Sequence, residues 1–295
     1  MIPTDGDIAR DTVPTPVEGV AGRWSADIPE AWRVMYAFGG VTMALALRTA
    51  QAELGRDDLE LVSAQATYCQ AVPVGPVAMA AEVLRSGRKG AQVEVRLWST
   101  DDPAGAVRPD LVVAVVFGSH DASSPHRLLG VAFPDDAPGP EDARRRLAGA
   151  TEGTPFDEIP YHHQTDWRQA LGHSPIDPTF EAGEDPRAVS WFRFNRPPLR
   201  VDGTWEPATL AVPGDVLAPA VVEGLGRQQG WFFVITLQLS MQWFAPMRGD
   251  FICQQTRAHH AGDGFATGVA ELWSEDRTLV AIATQSALLQ PLKVG

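Results

Sequence analysis

The sequence predicts an α+β protein made of two copies of one domain, each a helix followed by antiparallel strands. Three observations predict this. Leu97-Trp-Ser-Thr-Asp101 returns 175 residues later as Leu272-Trp-Ser-Glu-Asp276, a distance too long for a solenoid repeat and suited to duplication of a whole domain. Each copy reads as an extended piece, a helix, then several strands joined by tight turns, which is antiparallel α+β order without βαβ alternation. Of the 295 residues, 44% are hydrophobic, and 27 glycines and 24 prolines supply turns without reaching low-complexity levels.

The first copy opens with an extended piece around Trp24. A helix follows from about Gly40 to Leu54, with Met43, Leu47, Ala50 and Leu54 on one stripe. Ala44, Leu45 and Ala46 make further faces apolar, as a helix enclosed by a sheet requires. Strand patterns come near 60–72, 77–86, 91–99 and 111–118. The second copy has a strand near Val189–Phe194, a helix after Asp215, and strands near 233–244, 251–260, 264–273 and 279–289. Gly39-Gly40 opens the first helix and Gly214-Asp215 stands at the same offset before the second; Leu111–Gly118 matches Leu279–Ser286. Residues 121–185 are rich in Pro, Gly, Asp and Glu and read as a linker packed over the surface. The expected domains are therefore 1–120 and 186–295, joined by 121–185.

A net charge of −13 and a sequence pI near 4.9 exclude nucleic acid and an anionic membrane surface as natural partners. Cys69 and Cys253 are too few for a disulfide framework or a four-ligand zinc site. The first residues carry no signal-peptide pattern, and the longest apolar runs, Leu111–Phe117 and Trp231–Ile235, are strand-length, so a cytoplasmic protein is expected. His162-His163 and His259-His260 are adjacent pairs, which on an extended strand point to opposite faces, so no metal is expected. No Gly-x-Ser-x-Gly elbow occurs. No cofactor is expected.

Three polar residues stand out in the second copy. Asp215 precedes the apolar run Val216–Val222, where it serves as an N-cap, as a carboxylate facing a pocket, or both. Gln285 shares a strand face with Leu279, Ala281, Ala283 and Ala287, and an amide among such neighbours needs a partner. Thr236 alternates with Ile235 and Leu237 and shares a face with Gln238, Ser240 and Gln242, so a solvated strand face is an equally good reading. The equivalent first-copy positions are Gly40, about Ser63, and Phe117, which lack the carboxylate and the amide. Arg85, Arg88 and Lys89 form a basic cluster in an acidic chain, either a phosphate contact or a solvated turn.

The Gly39-Gly40 helix start, Pro73-Val-Gly-Pro76 and Glu82–Arg88 carry a resemblance in the first copy. In the second it rests on Trp191-Phe-Arg193, Gly214-Asp215, Thr236 with Ser240-Met241 and Trp243-Phe244, and Leu279–Gln285. In order and spacing these motifs resemble the acyl-CoA thioesterase II family. The resemblance implies a tandem double hotdog, in which each sheet curves around one long helix. It implies hydrolysis of an acyl-CoA to the free acid and CoA, and a homo-oligomer. The family's water-holding Asp, Thr and Gln fall on Asp215, Thr236 and Gln285. The strand Thr236–Phe244 departs from the pattern by one extra residue, Gln242, which implies a bulge or a register change. One hydrolytic site per chain is expected, with Gly39 and Gly40 as candidate oxyanion donors and Arg85 and Arg88 as candidate contacts for the CoA phosphates. An enoyl-CoA hydratase is disfavoured, because its Asp-x-Asn-Pro-x-His run is absent and the one asparagine is Asn195. A non-catalytic acyl-CoA or lipid-binding protein is the alternative.

Overall fold

The computed structural model describes residues 3–100, 108–120, 128–145, 159–173, 181–226 and 230–292. The first part of the chain gives α1 (Ile8–Asp11), β1 (Thr15–Pro16), β2 (Arg23–Ile28), α2 (Gly39–Leu54), β3 (Glu60–Tyr68), β4 (Gly75–Ser86), β5 (Gly90–Trp98) and β6 (Leu111–Gly118). Next come β7 (Arg144–Arg145) and β8 (Thr165–Leu171). The last part gives β9 (Arg187–Phe194), α3 (Ala211–Gly214), α4 (Ala218–Leu225), β10 (Phe232–Trp243), β11 (Ile252–Gly262), β12 (Phe265–Ser274) and β13 (Leu279–Pro291).

All the strands belong to one antiparallel sheet in the order β1-β2-β4-β5-β6-β3-β10-β13-β12-β11-β9-β8-β7. The run β2-β4-β5-β6-β3 is repeated in reverse as β10-β13-β12-β11-β9, so the duplication seen in the sequence is also a duplication of topology. The two runs meet where β3 pairs with β10, from Gln238 opposite Thr67 to Gln242 opposite Ser63.

Helix α2 is buried almost throughout, from Gly40 to Leu47 and again at Thr49 and Ala50. The apolar extra faces have a cause the sequence alone does not show. One side of α2 lies against β4, β5 and β6, and another lies against α3 and the turn Pro207–Leu210 of the second half. A Cβ placed on Gly40 would come within 2.5 Å of the Ala211 carbonyl oxygen, so glycine is what lets the two helical segments touch.

The second half does not repeat α2 as one long helix. Pro207–Leu225 is predominantly apolar, with a mean hydropathy of 1.3 despite Asp215 and Glu223, and is longer than the strand-length runs picked out in the sequence. It is mostly buried and broken into a turn, α3 and α4. In a continuous helix the ring of Pro219 would collide with the carbonyl of Asp215, four residues back. The chain therefore turns at Asp215 and restarts at Ala218, with Pro219 in the first turn of α4.

The segment read as a linker does two things. Its stretch around Val131, Phe133 and Ala143 packs over the outer face of the second half, where Phe133 meets Trp273 edge-on at 5.9 Å. Trp191 Nε1 donates to the Pro138 carbonyl there at 2.8 Å, and Cys253, beneath this layer, has its thiol pushed up to about 12 by burial. The segment also extends the sheet, since β8 pairs with β9 from Thr165 opposite Phe194 to Leu171 opposite Val189. A surface linker was the expectation; alternation in Thr165–Leu171 is masked by polar residues that pair inward, such as the buried Arg168 held by Asp166 at 2.8 Å.

Candidate active site

Asp215 closes α3 with φ −88° and ψ 62°. It does not cap the helix that follows it, because α4 begins after Leu217 and has no side-chain cap. The backbone N–H of Gly40, at the start of α2, points at the Asp215 carboxylate and pulls its pKa down. Helix α2 has Phe38 at its own N-cap, which supplies no acceptor. Asp215 is thus a helix cap, as its residue type suggests, but for a helix of the other half. The approach is close: a Cβ on Gly39 would lie 2.5 Å from Asp215 Oδ2.

Thr236 and Gln285 meet the same carboxylate. Thr236 Oγ1 donates to Asp215 Oδ1 at 2.7 Å, and Gln285 Nε2 donates to the same oxygen at 2.8 Å. Gln285 Nε2 also donates to Thr236 Oγ1 at 2.5 Å. The other end of the amide, Oε1, accepts the backbone N–H of Leu217 at 3.1 Å. Leu217 N–H requires an acceptor, so Oε1 faces it and the amide nitrogen faces the carboxylate.

Burial dominates the electrostatics of Asp215. It pushes the carboxyl up to about 6, against the opposing pull of Thr236, the Gly40 N–H and Gln285. The group is then ionised at neutral pH yet basic enough to take a proton. Beside it, Tyr68 donates from its hydroxyl to the Gly39 carbonyl at 2.7 Å. Burial first, and the charge of Asp215 second, hold that phenol well above its ordinary range, so it stays neutral.

Thr236 reaches this cluster because of a bulge. In the β10–β13 ladder Thr236 faces Ala287 and Gln238 faces Ser286, so Leu237 is the extra residue. The bulge switches the faces of the strand. Thr236 joins Leu239, Met241 and Trp243 on the inner face and parts from Gln238, Ser240 and Gln242. The irregularity was expected at Gln242, which instead pairs in register with both Ile282 and Ser63. The solvated-face reading of Thr236 fails for the same reason. On β13, Ala281, Ala283 and Ala287 share the buried face with Gln285, whereas Leu279 belongs to the outer cluster with Trp273.

The same bulge occurs in the first half, where Leu61 faces Phe117 and Ser63 faces Val116. By register, the counterpart of Thr236 is Leu61, not Ser63. Gln285 lies opposite Leu239 as Val115 lies opposite Ala64, so its counterpart is Val115, not Phe117. Leu61 and Val115 are buried.

The cluster sits on the wall of a cavity of about 740 Å³ between the start of α2, α4, the first half of β10 and the segment Ile159–Trp167. Gly39 lines it, as do Tyr68, Asp215, Thr236 and Gln285. Gln254 also lines it and was missed in the sequence. Its Nε2 donates to the Pro213 carbonyl at 2.8 Å and its Oε1 accepts from Ser190 at 2.9 Å, which fixes the end of α3 just ahead of Asp215. The signal was a weaker form of the one that exposed Gln285: an amide that follows Ile252 and Cys253 and shares its strand face with Ile252, Thr256 and Ala258. His162 and His163 lie on a 3₁₀ turn, not an extended strand, and both line the cavity. No cluster of metal-ligating side chains occurs among the described residues. Arg85 ends β4 and Arg88 lies in the turn to β5; neither lines the cavity.

The chain matches the family model of the acyl-CoA thioesterase N-terminal domain over residues 28–118 and that of the C-terminal domain over residues 134–289. No curated protein matches the sequence. Among solved structures it is similar to a conserved protein of unknown function with a hot dog fold from Alicyclobacillus acidocaldarius, with a TM-score of 0.76 at 20% identity, covering 97% of this chain and 98% of that one. It is similar also to an acyl-CoA thioesterase II from Mycobacterium marinum, with a TM-score of 0.72 at 16% identity, covering 97% and 99%. At such identities these likenesses speak for the hotdog fold alone. With both domain models matched over most of its length, the chain belongs to the acyl-CoA thioesterase family and is a thioester hydrolase.

Proposed function

We propose that this chain, a tandem of two hotdog units, hydrolyses an acyl-CoA at one site per chain, with Asp215 as the general base. The supporting observation is the meeting of Asp215, Thr236 and Gln285 on one carboxylate oxygen at a cavity wall. Asp215 takes a proton from water as the water oxygen attacks the thioester carbonyl carbon. The tetrahedral intermediate collapses, the C–S bond breaks, and the thiolate leaves. Its pKa near ~8.5, by analogy with cysteine, means that it departs with little acid assistance. The proton on Asp215 returns to the thiolate or to solvent.

Thr236 and Gln285 orient the carboxylate and the water beside it. Gly39 lines the cavity and Gly40 does not, so of the two glycines Gly39 is the better placed oxyanion donor, at the positive end of α2. The test is thiol release from a panel of short to long acyl-CoAs by the wild type and by Asp215→Asn. The expected result is turnover by the wild type and a loss of ~10²–10⁴ in the variant. Wild-type binding of acyl-CoA with no thiol release would instead support a non-catalytic carrier.

A further inference from the structure

We propose that the acyl group this cavity takes is uncharged and carries a planar ring, rather than being a plain linear chain; this rests on the thioesterase reading of the same site. The chain has three tyrosines, and all of them, Tyr36, Tyr68 and Tyr161, line this one cavity. Trp167 and Phe192 line it as well. A linear alkyl chain needs only aliphatic walls. Aromatic faces attract a second ring beyond what its area burial gives, a gain that a linear alkyl chain does not make.

The aromatic wall is also rigid. Tyr161 stacks on Phe38 with ring centroids 4.3 Å apart and planes inclined by 24°. Trp32 supports Tyr161 from behind at 6.5 Å and meets Phe194 edge-on at 6.3 Å. Phe194 in turn holds Phe192 edge-on at 4.9 Å. A pre-formed flat surface loses little entropy when a second flat group stacks on it.

The charge of the cavity says which ring this is. CoA carries an adenine, but its adenine comes with phosphates. No Lys or Arg lines the cavity among the described residues; of its two carboxylates, Asp166 is paired with Arg168 at 2.8 Å and Arg193 at 3.2 Å, and Asp215 has no cationic partner. Such a lining offers no cation to the phosphorylated nucleotide or to an acyl group ending in a carboxylate, and Asp215 opposes either. The volume, about 740 Å³, lies in the ordinary range for a small-ligand pocket.

Two measurements test this. The first is kcat/KM for ring-bearing and linear acyl-CoAs of equal carbon number, for example phenylacetyl against octanoyl, with wild type, Tyr161→Leu and Tyr161→Phe. The wild type should favour the ring-bearing substrate about tenfold or more. The ring-to-linear ratio should fall about threefold to tenfold in Tyr161→Leu and hold in Tyr161→Phe, which keeps the ring. Phe38→Leu should lower the same ratio and serves if Tyr161→Leu does not fold. A wild-type ratio of one or below overturns the inference while leaving the hydrolase intact. The second is calorimetric binding of benzyl and hexyl thioethers of CoA, which cannot be hydrolysed. Tighter binding of the benzyl compound supports the ring preference even if no acyl-CoA is turned over, in which case the proposed function alone fails. Equal or weaker binding overturns it.

Discussion

The corner that holds Asp215, Thr236 and Gln285 has a twin in the other half at Gly40, Leu61 and Val115, with the same strand order and the same bulge. The scaffolds agree and the chemistry does not. In the first half the bulge merely turns Leu61 into the core. In the second it turns a hydroxyl toward a carboxylate. The helices differ in step. The first runs unbroken from Gly39 to Leu54, and the second is interrupted at Asp215, which frees that residue's side chain to leave its own helix and cap the other. A duplicated fold thus supplies the geometry twice, and side-chain identity decides which copy carries a carboxylate, a hydroxyl and an amide at that corner.

Converting the polar corner into its apolar twin is the sharpest way to break this contrast. Asp215→Gly should lower the rate of thiol release by ~10²–10⁴. A variant within threefold of wild type would show that Asp215 is only a cap for α2. Gln285→Val should cost about tenfold to a hundredfold in kcat and, in urea unfolding, about 1–3 kcal/mol, because Leu217 N–H loses its acceptor inside the protein. Unchanged kcat would sink the role given to the amide.

The pH dependence of stability sharpens the same point. The Asp215 carboxyl titrates near 6 in the folded chain against 3.8 as the ordinary value, so the folded state holds its proton longer than the unfolded state does. Its contribution is fully present below pH ~4 and is lost as pH rises through ~6. Asp215→Asn should therefore raise stability at pH 7 by up to about 3 kcal/mol relative to its effect at pH 4, while removing activity. An equal change at both pH values would contradict a buried carboxylate held near 6.

Gly40→Ala tests the seam between the halves. Its Cβ would press on the backbone of Ala211 and Val212, at 2.5 and 2.6 Å, and should cost about 1–3 kcal/mol by thermal or urea unfolding. The smallest expected effect belongs to Thr236→Val. Activity of the wild type should fall as pH drops through ~6, when Asp215 takes up its proton. Removing the Thr236 hydroxyl, which holds the Asp215 pKa down, should move that inflection upward. An inflection that stays put would separate Thr236 from the titrating group.

Much of this was legible in the residues. The helix at Gly39–Leu54 and the paired strand patterns fall within a few residues of their expected bounds, since apolar spacing reflects which side of an element is covered. Gln285 announced itself as an amide on a small apolar face, and Asp215 as an acid at a helix boundary. Thr236 did not. Its period-two neighbours suggested solvent, because one residue of bulge inverts every face beyond it and alternation cannot show where the inversion falls. Alignment of Leu111 with Leu279 similarly missed the true partner of Gln285 by two residues.

The sequence by itself determined the duplicated strand order, through its repeat, whereas the break in the second helix went unread, because Pro219 in a first turn is compatible with a long helix after Asp215. Only the tertiary structure decided that Asp215 caps α2 rather than α4 and that Thr236 faces inward. It also decided that β8 extends the sheet and that all three tyrosines surround one cavity. The reason is physical. Periodicity records how each segment is solvated along its own axis, whereas capping, strand register and cavity walls depend on segments far apart in the chain meeting in space.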